Sequence, residues 1–209
     1  MPAPLDVALA VARAARSRGG RALVVGGFVR DRLLGRPSKD LDLEVFGVPH
    51  DVLPEMLAAL GRVEPVGRAF PVYKLGPVDV TLPRRESKHG RGHTAFTVEG
   101  DPHMRFEDAA RRRDFTMNAI GWDPLTGEYL DPFGGRADLD ARRLRVVDPR
   151  TFADDSLRVL RALQFAARFE STLDDQATAI CRAIALDDLP AERLWGEFEK
   201  LLLVAERPS

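Results

Sequence analysis

The sequence predicts an α+β fold, with a small head of mixed helices and strands over residues 1–147 and an all-α neck over residues 148–209. Two observations support this prediction. Runs with the apolar or alternating pattern of short strands occur only in the first part of the chain, whereas each long segment after residue 149 has apolar residues at helical spacing. The 209 residues are 44% hydrophobic and 30% charged, which is enough for a packed core.

The individual elements follow from the same patterns. Gly19-Gly20 ends the first helix, Gly26-Gly27 separates a buried strand from a short helix that ends at Leu34, and DPFGG at 131–135 predicts a turn. Residues 83–104 are polar and rich in Gly, His, Arg and Pro, which predicts a long loop. No strand is expected after residue 149. The other expected helices are 4–18, 51–60, 151–169, 174–186 and 190–205, and the expected strands are 22–25, 40–46, 72–75 and 78–82.

Charge and cysteine content narrow the possible functions only a little. The formal net charge of −1 does not by itself indicate a nucleic-acid binder, but local basic clusters are compatible with phosphate ligands. The single cysteine, Cys181, excludes an internal disulfide and indicates a reducing cytoplasm. No apolar run approaches the roughly 18 residues of a membrane span. The basic clusters are Arg84, Arg85, Lys88 and Arg91; Arg111–Arg113; Arg142, Arg143 and Arg145; and Arg158, Arg161 and Arg168.

Asp40 and Asp42 are the first candidate site residues. They stand two apart in an alternating strand, so both carboxylates lie on one face, and a cation between them would remove their repulsion. Mg²⁺ prefers such a sparse set of carboxylates completed by substrate phosphates. An isolated D-x-D pair is more often a solvated strand face.

Gly26-Gly27 is the second candidate feature. Glycines let the backbone approach a phosphate, and the following helix offers unpaired N–H groups. Arg30 and Lys39 could add charge-assisted contacts to a triphosphate. Gly-Gly alone is more often only a turn, but here it stands at a short, fixed spacing before the two carboxylates.

The run VGGFVRDRLLGRPSKDLDLEV resembles the signature of the class II tRNA nucleotidyltransferase and bacterial poly(A) polymerase family (CCA-adding enzyme type), within the polymerase-beta nucleotidyltransferase superfamily. Four later segments are similar to further motifs of that family, in the same order: RRDFTMNAI, DPFGGRADL, FADDSLRVLRALQFAARF and ERLWGEFEKLL. The resemblance implies a nucleotidyltransferase head with a mixed, largely antiparallel sheet flanked by helices, and a helical neck that carries the base-selecting helix. Body or tail domains are expected beyond Ser209 in the full-length protein.

The resemblance also implies roles for individual residues. Asp40 and Asp42 are the expected catalytic metal ligands, and Asp79 is either a third metal ligand or an ordinary exposed strand residue. Asp114 and Asn118 are expected to bind the ribose, although Asp114 is equally a candidate cap of the short helix that follows it. The remaining expected sets are Gly26, Gly27, Arg30, Lys39 and Arg113 for the triphosphate; Asp155, Arg158 and Arg161 for the base; and Arg85, Glu86, Lys88 and His93 in a flexible loop.

Asp155 and Arg158 have a physical argument of their own. On a helix, residues three apart share one face. A carboxylate accepts from the exocyclic amine of cytosine or adenine, and a guanidinium donates to the adjacent ring acceptor, so the pair selects C and A without a template. The alternative without a functional role is an ordinary surface ion pair between Asp155 and Arg158. The family usually has Glu at the position of Asp154, and this departure leaves the pair intact.

The implied reaction is attack of an RNA 3′-hydroxyl on the α-phosphate of CTP or ATP, with two Mg²⁺ ions as cofactor and pyrophosphate as leaving group. The expected partners are a tRNA 3′ end, CTP and ATP, with no membrane, in the cytoplasm. An A-adding enzyme, a CC-adding enzyme and a poly(A) polymerase share these motifs, and the long loop argues only mildly against CC addition alone. From another class, an RNA-binding module with an inactive centre would normally have lost a metal carboxylate, and both are present.

Overall fold

The computed structural model describes residues 3–38, 40–67, 71–88 and 96–204 of the chain. Short 3-10 helices lie at Thr116–Asn118 and Phe152–Asp154. The α-helices are α1 (Pro4–Arg16), α2 (Gly27–Leu33), α3 (Val52–Ala58), α4 (Phe106–Arg111), α5 (Gly135–Asp140), α6 (Leu157–Phe169), α7 (Asp175–Ala183) and α8 (Ala191–Val204). The strands are β1 (Arg21–Val25), β2 (Leu41–Phe46), β3 (Val63–Val66), β4 (Val72–Leu75), β5 (Val78–Thr81), β6 (Arg84–Lys88), β7 (Phe96–Gly100), β8 (Gly121–Trp122), β9 (Tyr129–Leu130), β10 (Arg143–Leu144) and β11 (Thr172–Leu173).

Seven strands form one sheet in the order β3-β4-β5-β2-β1-β8-β9. β2 and β5 run parallel, and every other neighbouring pair in this sheet is antiparallel. The predicted α+β class with a mixed, largely antiparallel sheet is therefore confirmed. None of the helices in the described ranges is long and apolar enough to cross a membrane.

β2 shows how the alternating sequence produces this sheet. Leu41, Leu43 and Val45 are buried, whereas Asp42 between them is exposed. The buried face meets α1, which starts with Pro4 at its first turn, a position where the missing N–H costs nothing. α1 turns a row of small apolar residues at helical spacing toward the core, namely Ala8, Val11, Ala12 and Ala15.

The chain divides into two compact units, and neither is continuous in sequence. The first unit contains the seven-stranded sheet and the second contains α5 to α8. Residues 1–87, 97–110 and 120–132 make up the first unit, and residues 88–96, 111–119 and 133–209 make up the second. The predicted division into a head at 1–147 and a neck at 148–209 remains a prediction.

The core of the second unit is aromatic. Phe115 packs edge-on against Phe152, with ring centroids 5.5 Å apart, and against Phe165 at 5.8 Å. Such edge-to-face pairs are favourable beyond the area they bury. Because Phe115 follows Asp114 directly, this packing fixes the backbone of the RRDFTMN motif against α6.

Two expectations about where strands lie are wrong. The long loop expected at 83–104 contains β6 and β7, which pair with each other, and the base of this ribbon is tied by Asp101 N–H to Pro83 C=O (2.8 Å) and by Arg85 Nη2 to Asp101 (2.7 Å). Its polar and Gly-rich composition hides strands that cross-strand pairing stabilises. β11 lies where no strand was expected, because two residues paired with β10 are too short to produce a periodicity.

Candidate active site

The carboxylates of Asp40 and Asp42 lie where the central strand β2 begins, at one end of the strands of the seven-stranded sheet, which we call the carboxylate edge. Asp40 immediately precedes β2 and Asp42 is its second residue, and both are exposed. Asp42 stands in register with Asp79 on the parallel strand β5. Since directly opposed residues of neighbouring strands project to the same face, the structure brings Asp79 beside Asp42.

Lys74 lies on this acidic edge, and sequence reasoning did not select it. Lys74 on β4 is in register with Asp79, and its Nζ lies 2.7 Å from Oδ1 and 2.9 Å from Oδ2 of that carboxylate. Hydrogen bonding to Asp79 and its charge raise the pKa of Lys74 against the effect of desolvation, and the charges of Asp42 and Asp40 raise it further. Lys74 could have been found from the strand register, because a two-residue turn at Gly76-Pro77 places residues 74 and 79 opposite each other.

The donor chemistry at this edge suits a hard cation. Carboxylate oxygens are the ligands that Mg²⁺ prefers, and the Lys74 ammonium already occupies part of the edge as an internal cation. Within the described ranges, no group of three His, Cys, Asp or Glu side chains is arranged to hold a metal ion. Asp40 and Asp42 therefore fit the metal as a pair, while the Asp79 carboxylate is directed to Lys74.

The Gly26-Gly27 turn stands next to these carboxylates. β1 ends at Val25, which is in register with Asp42, so Gly26 follows directly at the same edge. Gly26 has φ 71° and ψ −139°, a conformation essentially restricted to glycine, and it precedes the first residue of α2.

Arg30 faces inward in this structure. It is buried, and its Nε and Nη2 both lie 2.8 Å from Oδ1 of Asp31. A Cβ added to Gly27 would lie 3.4 Å from Arg30 Nη2, so the guanidinium lies close to the turn. A direct triphosphate contact by Arg30 remains a prediction, and Lys39 lies outside the described residues.

Asp114 is the centre of a buried hydrogen-bond cluster in the second unit. Its Oδ1 accepts from the backbone N–H of Phe115 (2.7 Å) and from Nδ2 of Asn118 (2.9 Å), and its Oδ2 accepts from Nε of Arg161 (2.7 Å). Burial alone would raise the pKa of Asp114, but the Arg161 charge and these hydrogen bonds outweigh it, and the pKa is lowered. The carboxylate is therefore ionised at neutral pH. The short helix Thr116–Asn118 begins after Phe115 without a side-chain cap.

Asp155 and Arg158 have separate partners. Asp155 lies before α6 in an extended conformation, so the expected continuous helix at 151–169 is wrong. The expectation that Asp155 and Arg158 share one helical face is wrong for the same reason, because only Arg158 belongs to the helix. Its Oδ1 accepts from the N–H of Leu157 (3.2 Å) and its Oδ2 from Nη2 of Arg193 (3.1 Å). The Arg158 guanidinium donates to the backbone carbonyls of Thr151 (3.1 Å) and Arg112 (2.7 Å). Base selection by this pair stays a prediction.

Arg193 and Asp138 lie inside the sequence motifs, but the sequence did not indicate what they contact. In the structure, both bind other residues of the second unit. Asp138 is fully buried and accepts from Thr116 Oγ1 (2.6 Å), Arg143 Nε (2.8 Å) and Arg145 Nε (3.0 Å). Burial opposes the effect of these donors, yet the pKa of Asp138 is lowered. Asp138 thereby fixes the 3-10 helix that follows Asp114. Only the pairing itself reveals this, because Thr116 is 22 residues away.

The structure gives the position of the remaining predicted site residues but little about their roles. Arg113 lies in the second unit and is half-buried. Arg85 is at the base of the β6–β7 ribbon, bound to Asp101. The backbones of Glu86 and Lys88 belong to β6, but their side chains, like the whole of His93, lie outside the described residues.

Comparison with known proteins identifies the family. The family model of the poly(A) polymerase head domain matches residues 22–145. The chain belongs to the poly(A) polymerase head-domain family. It is 46% identical over 196 residues to a multifunctional CCA protein of Stenotrophomonas maltophilia (strain K279a), covering 89% of this chain and 46% of that protein.

Solved structures related to this poly(A) polymerase head-domain protein agree with its fold. The Bacillus stearothermophilus CCA-adding enzyme in complex with CTP is 32% identical, with a TM-score of 0.78, and the match covers 97% of this chain and 49% of that one. The Thermotoga maritima CCA-adding enzyme complexed with tRNA is 26% identical, with a TM-score of 0.77, covering 97% and 47%. The chain thus spans about half the length of the relatives it matches.

Proposed function

We propose that this chain is the catalytic part of a template-independent tRNA nucleotidyltransferase that adds C and A to the tRNA 3′ end from CTP and ATP. One observation carries the proposal. The Gly26 turn and the carboxylates of Asp40 and Asp42 meet at one edge of the sheet, because Val25 and Asp42 are in register. A turn suited to phosphates beside ligands suited to Mg²⁺ is the arrangement that nucleotidyl transfer requires.

The relatives support the choice of substrates. The similar protein of S. maltophilia is named a multifunctional CCA protein, and the similar solved structures are CCA-adding enzymes bound to CTP or tRNA. We extend tRNA, CTP and ATP to this chain as a proposal, because it spans about half of those proteins. The single cysteine fits a reducing compartment, and we propose the cytoplasm.

The proposed mechanism assigns two steps to the first unit. Asp40 and Asp42 would hold two Mg²⁺ ions, which when bound lower the pKa of the attacking 3′-hydroxyl and neutralise charge on the triphosphate. Backbone N–H groups after Gly26 would orient the phosphates, so that the hydroxyl attacks the α-phosphorus in line and pyrophosphate leaves.

The second unit would read the nucleotide. Asp114 is held ionised by Arg161 and Asn118, and an ionised carboxylate accepts a hydrogen bond from a ribose hydroxyl. Asp155 and Arg158 would read the base, Asp155 by accepting from the exocyclic amine of C or A. In this role, Arg193 would hold the Asp155 carboxylate in a fixed orientation.

A poly(A) polymerase is the second candidate, because the matching family model carries that description. Extension assays separate the two. The chain is given CTP, ATP, UTP or GTP with Mg²⁺ and tRNA transcripts that end before CCA, at C or at CC, beside an unstructured RNA primer. We expect C and A to be added to the tRNA ends only, with U and G rejected. Long A tails on the unstructured primer would establish the polymerase instead, and no incorporation on any primer would refute both.

A further inference from the structure

The contact between Lys74 and Asp79 stands out at the carboxylate edge of the sheet. Both oxygens of Asp79 accept from one ammonium group, at 2.7 and 2.9 Å. The two residues face each other across the β4–β5 hairpin, and Asp79 is at the same time in register with Asp42. Lys74 on β4 is therefore two strands from the proposed metal ligand Asp42 on β2, and Asp79 on β5 lies between them.

Stability alone is a poor explanation for this pair. Its two side chains are 48% and 36% exposed, and ion pairs that face water to this extent contribute little to folding. The surroundings are different from those of an ordinary surface pair, because three carboxylates share this edge and repel one another. The Lys74 ammonium contacts Asp79 and offsets part of this repulsion while no metal is bound.

We propose that Lys74 is a placeholder cation, which holds the Asp79 carboxylate in the metal-free protein and is displaced when a divalent ion at Asp40 and Asp42 recruits Asp79. The inference rests on the proposed function, since that function supplies the metal. Lysine suits this role because its ammonium is a compact charge on a flexible stem, and half of the Lys74 side chain already meets solvent into which it can swing.

The proposal explains an apparent conflict in the site. Asp79 is beside Asp42, yet the described residues contain no group of three side chains arranged for a metal ion. If Lys74 holds Asp79, the third ligand joins only after the ammonium leaves. Binding then costs the loss of the Lys74–Asp79 contact, so the ammonium lowers the affinity of the edge for divalent ions.

Direct binding of Mn²⁺ to the nucleotide-free chain, followed by the relaxation of water protons, tests this. Lys74→Met keeps the length of the stem and removes the charge. It should tighten Mn²⁺ binding on the order of tenfold, because both the competing contact with Asp79 and the repulsion from a unit charge roughly two strand spacings away are lost. Lys74→Arg keeps the charge and should restore the weaker binding. In an Asp79→Asn background, Lys74→Met should have a clearly smaller effect.

The matched control is Arg62→Met, which removes another exposed cation of the same unit that is paired with Glu64. It should leave the Mn²⁺ affinity unchanged. An affinity of Lys74→Met that is equal to or weaker than that of the wild type would overturn the placeholder role, even if the wild type adds nucleotides normally. If the Mn²⁺ affinities are as expected but the wild type adds no nucleotides, the proposed function is refuted and the placeholder role stands.

Discussion

Asp114 is the residue whose electrostatics the structure defines best. A buried carboxylate is costly unless it is paired, and here it has Arg161, Asn118 and a backbone N–H as partners. The same contacts that keep it ionised also fix its orientation. A ribose-reading role is compatible with this, because a carboxylate oxygen has more than one lone pair.

The lowered pKa of Asp114 predicts a dependence of stability on pH. Because its folded-state pKa lies below the unfolded value of about 3.9, its contribution is present above that value and is lost as pH falls through the folded pKa. Asp114→Asn should reduce the free energy of unfolding at pH 7 by about 3 kcal/mol, since Arg161 loses its carboxylate. It should also flatten the loss of stability on acidification, measured by urea unfolding from pH 7 to pH 3.

Two further variants serve as comparisons for the stability of Asp114→Asn. Asp187→Asn, at an exposed position between α7 and α8, should leave both the stability and its pH dependence unchanged. Asn118→Ala removes one of the three donors and should cost about 1 kcal/mol. An Asp114→Asn variant as stable as the wild type at pH 7 would show that the ion pair with Arg161 contributes nothing.

The Gly26 turn is the element that links the fold to the proposed chemistry. Its backbone conformation, φ 71° and ψ −139°, places the start of α2 beside Asp42. A side chain at this position is strained regardless of the space around it. The strain acts on the backbone that we propose binds phosphates, so stability and nucleotide binding should change together.

Gly26→Ala should lower the free energy of unfolding by about 1–3 kcal/mol and weaken ATP binding, because alanine disfavours this conformation. Gly127→Ala is the matched control, since Gly127 lies in the same unit, also has a positive φ (75°), and an added Cβ there would meet nothing within 4 Å. It should lower the stability and leave ATP binding unchanged, and chemical denaturation and equilibrium ATP binding measure the two effects. An equal loss of ATP binding in the two variants would mean that binding does not require the conformation of Gly26.

Elements with a clear period could be predicted from the sequence, and elements defined by pairing could not. β2 was predictable because Leu41, Asp42 and Leu43 alternate in burial as they alternate in polarity. The β6–β7 ribbon was missed because its strands gain their order from each other and from the Arg85–Asp101 contact. The spacing of apolar residues along the sequence does not report such contacts between separate segments.

The same difference separates the site residues. Asp40, Asp42 and Gly26 stand close in sequence and could be selected from a motif. Lys74 and Asp138 depend on strand register and on buried contacts between distant segments, so they appear only in the folded chain. Asp155 could be selected as a motif residue, but its extended backbone before α6 could not be predicted from the helical spacing of the segment.

At the scale of the whole molecule, the two units divide the proposed work. The first unit contains the carboxylates and the Gly26 turn, and the second contains Asp114, Asp155 and Arg158. On this proposal, nucleotide chemistry and nucleotide choice would depend on separate cores, one built on the seven-stranded sheet and one on Phe115 and its aromatic neighbours. A substitution on one side should leave the stability of the other largely intact.

The most direct test of the central claim compares the wild type with Asp42→Asn in Mg²⁺-dependent incorporation of labelled CTP and ATP into a tRNA transcript that lacks CCA. The exposed position of Asp42 predicts a folded variant, checked by circular dichroism, and the loss of a metal ligand predicts a rate at least 100-fold lower. Glu64→Gln, at another exposed carboxylate of the same sheet, should retain wild-type activity. Normal incorporation by a folded Asp42→Asn variant would contradict the account.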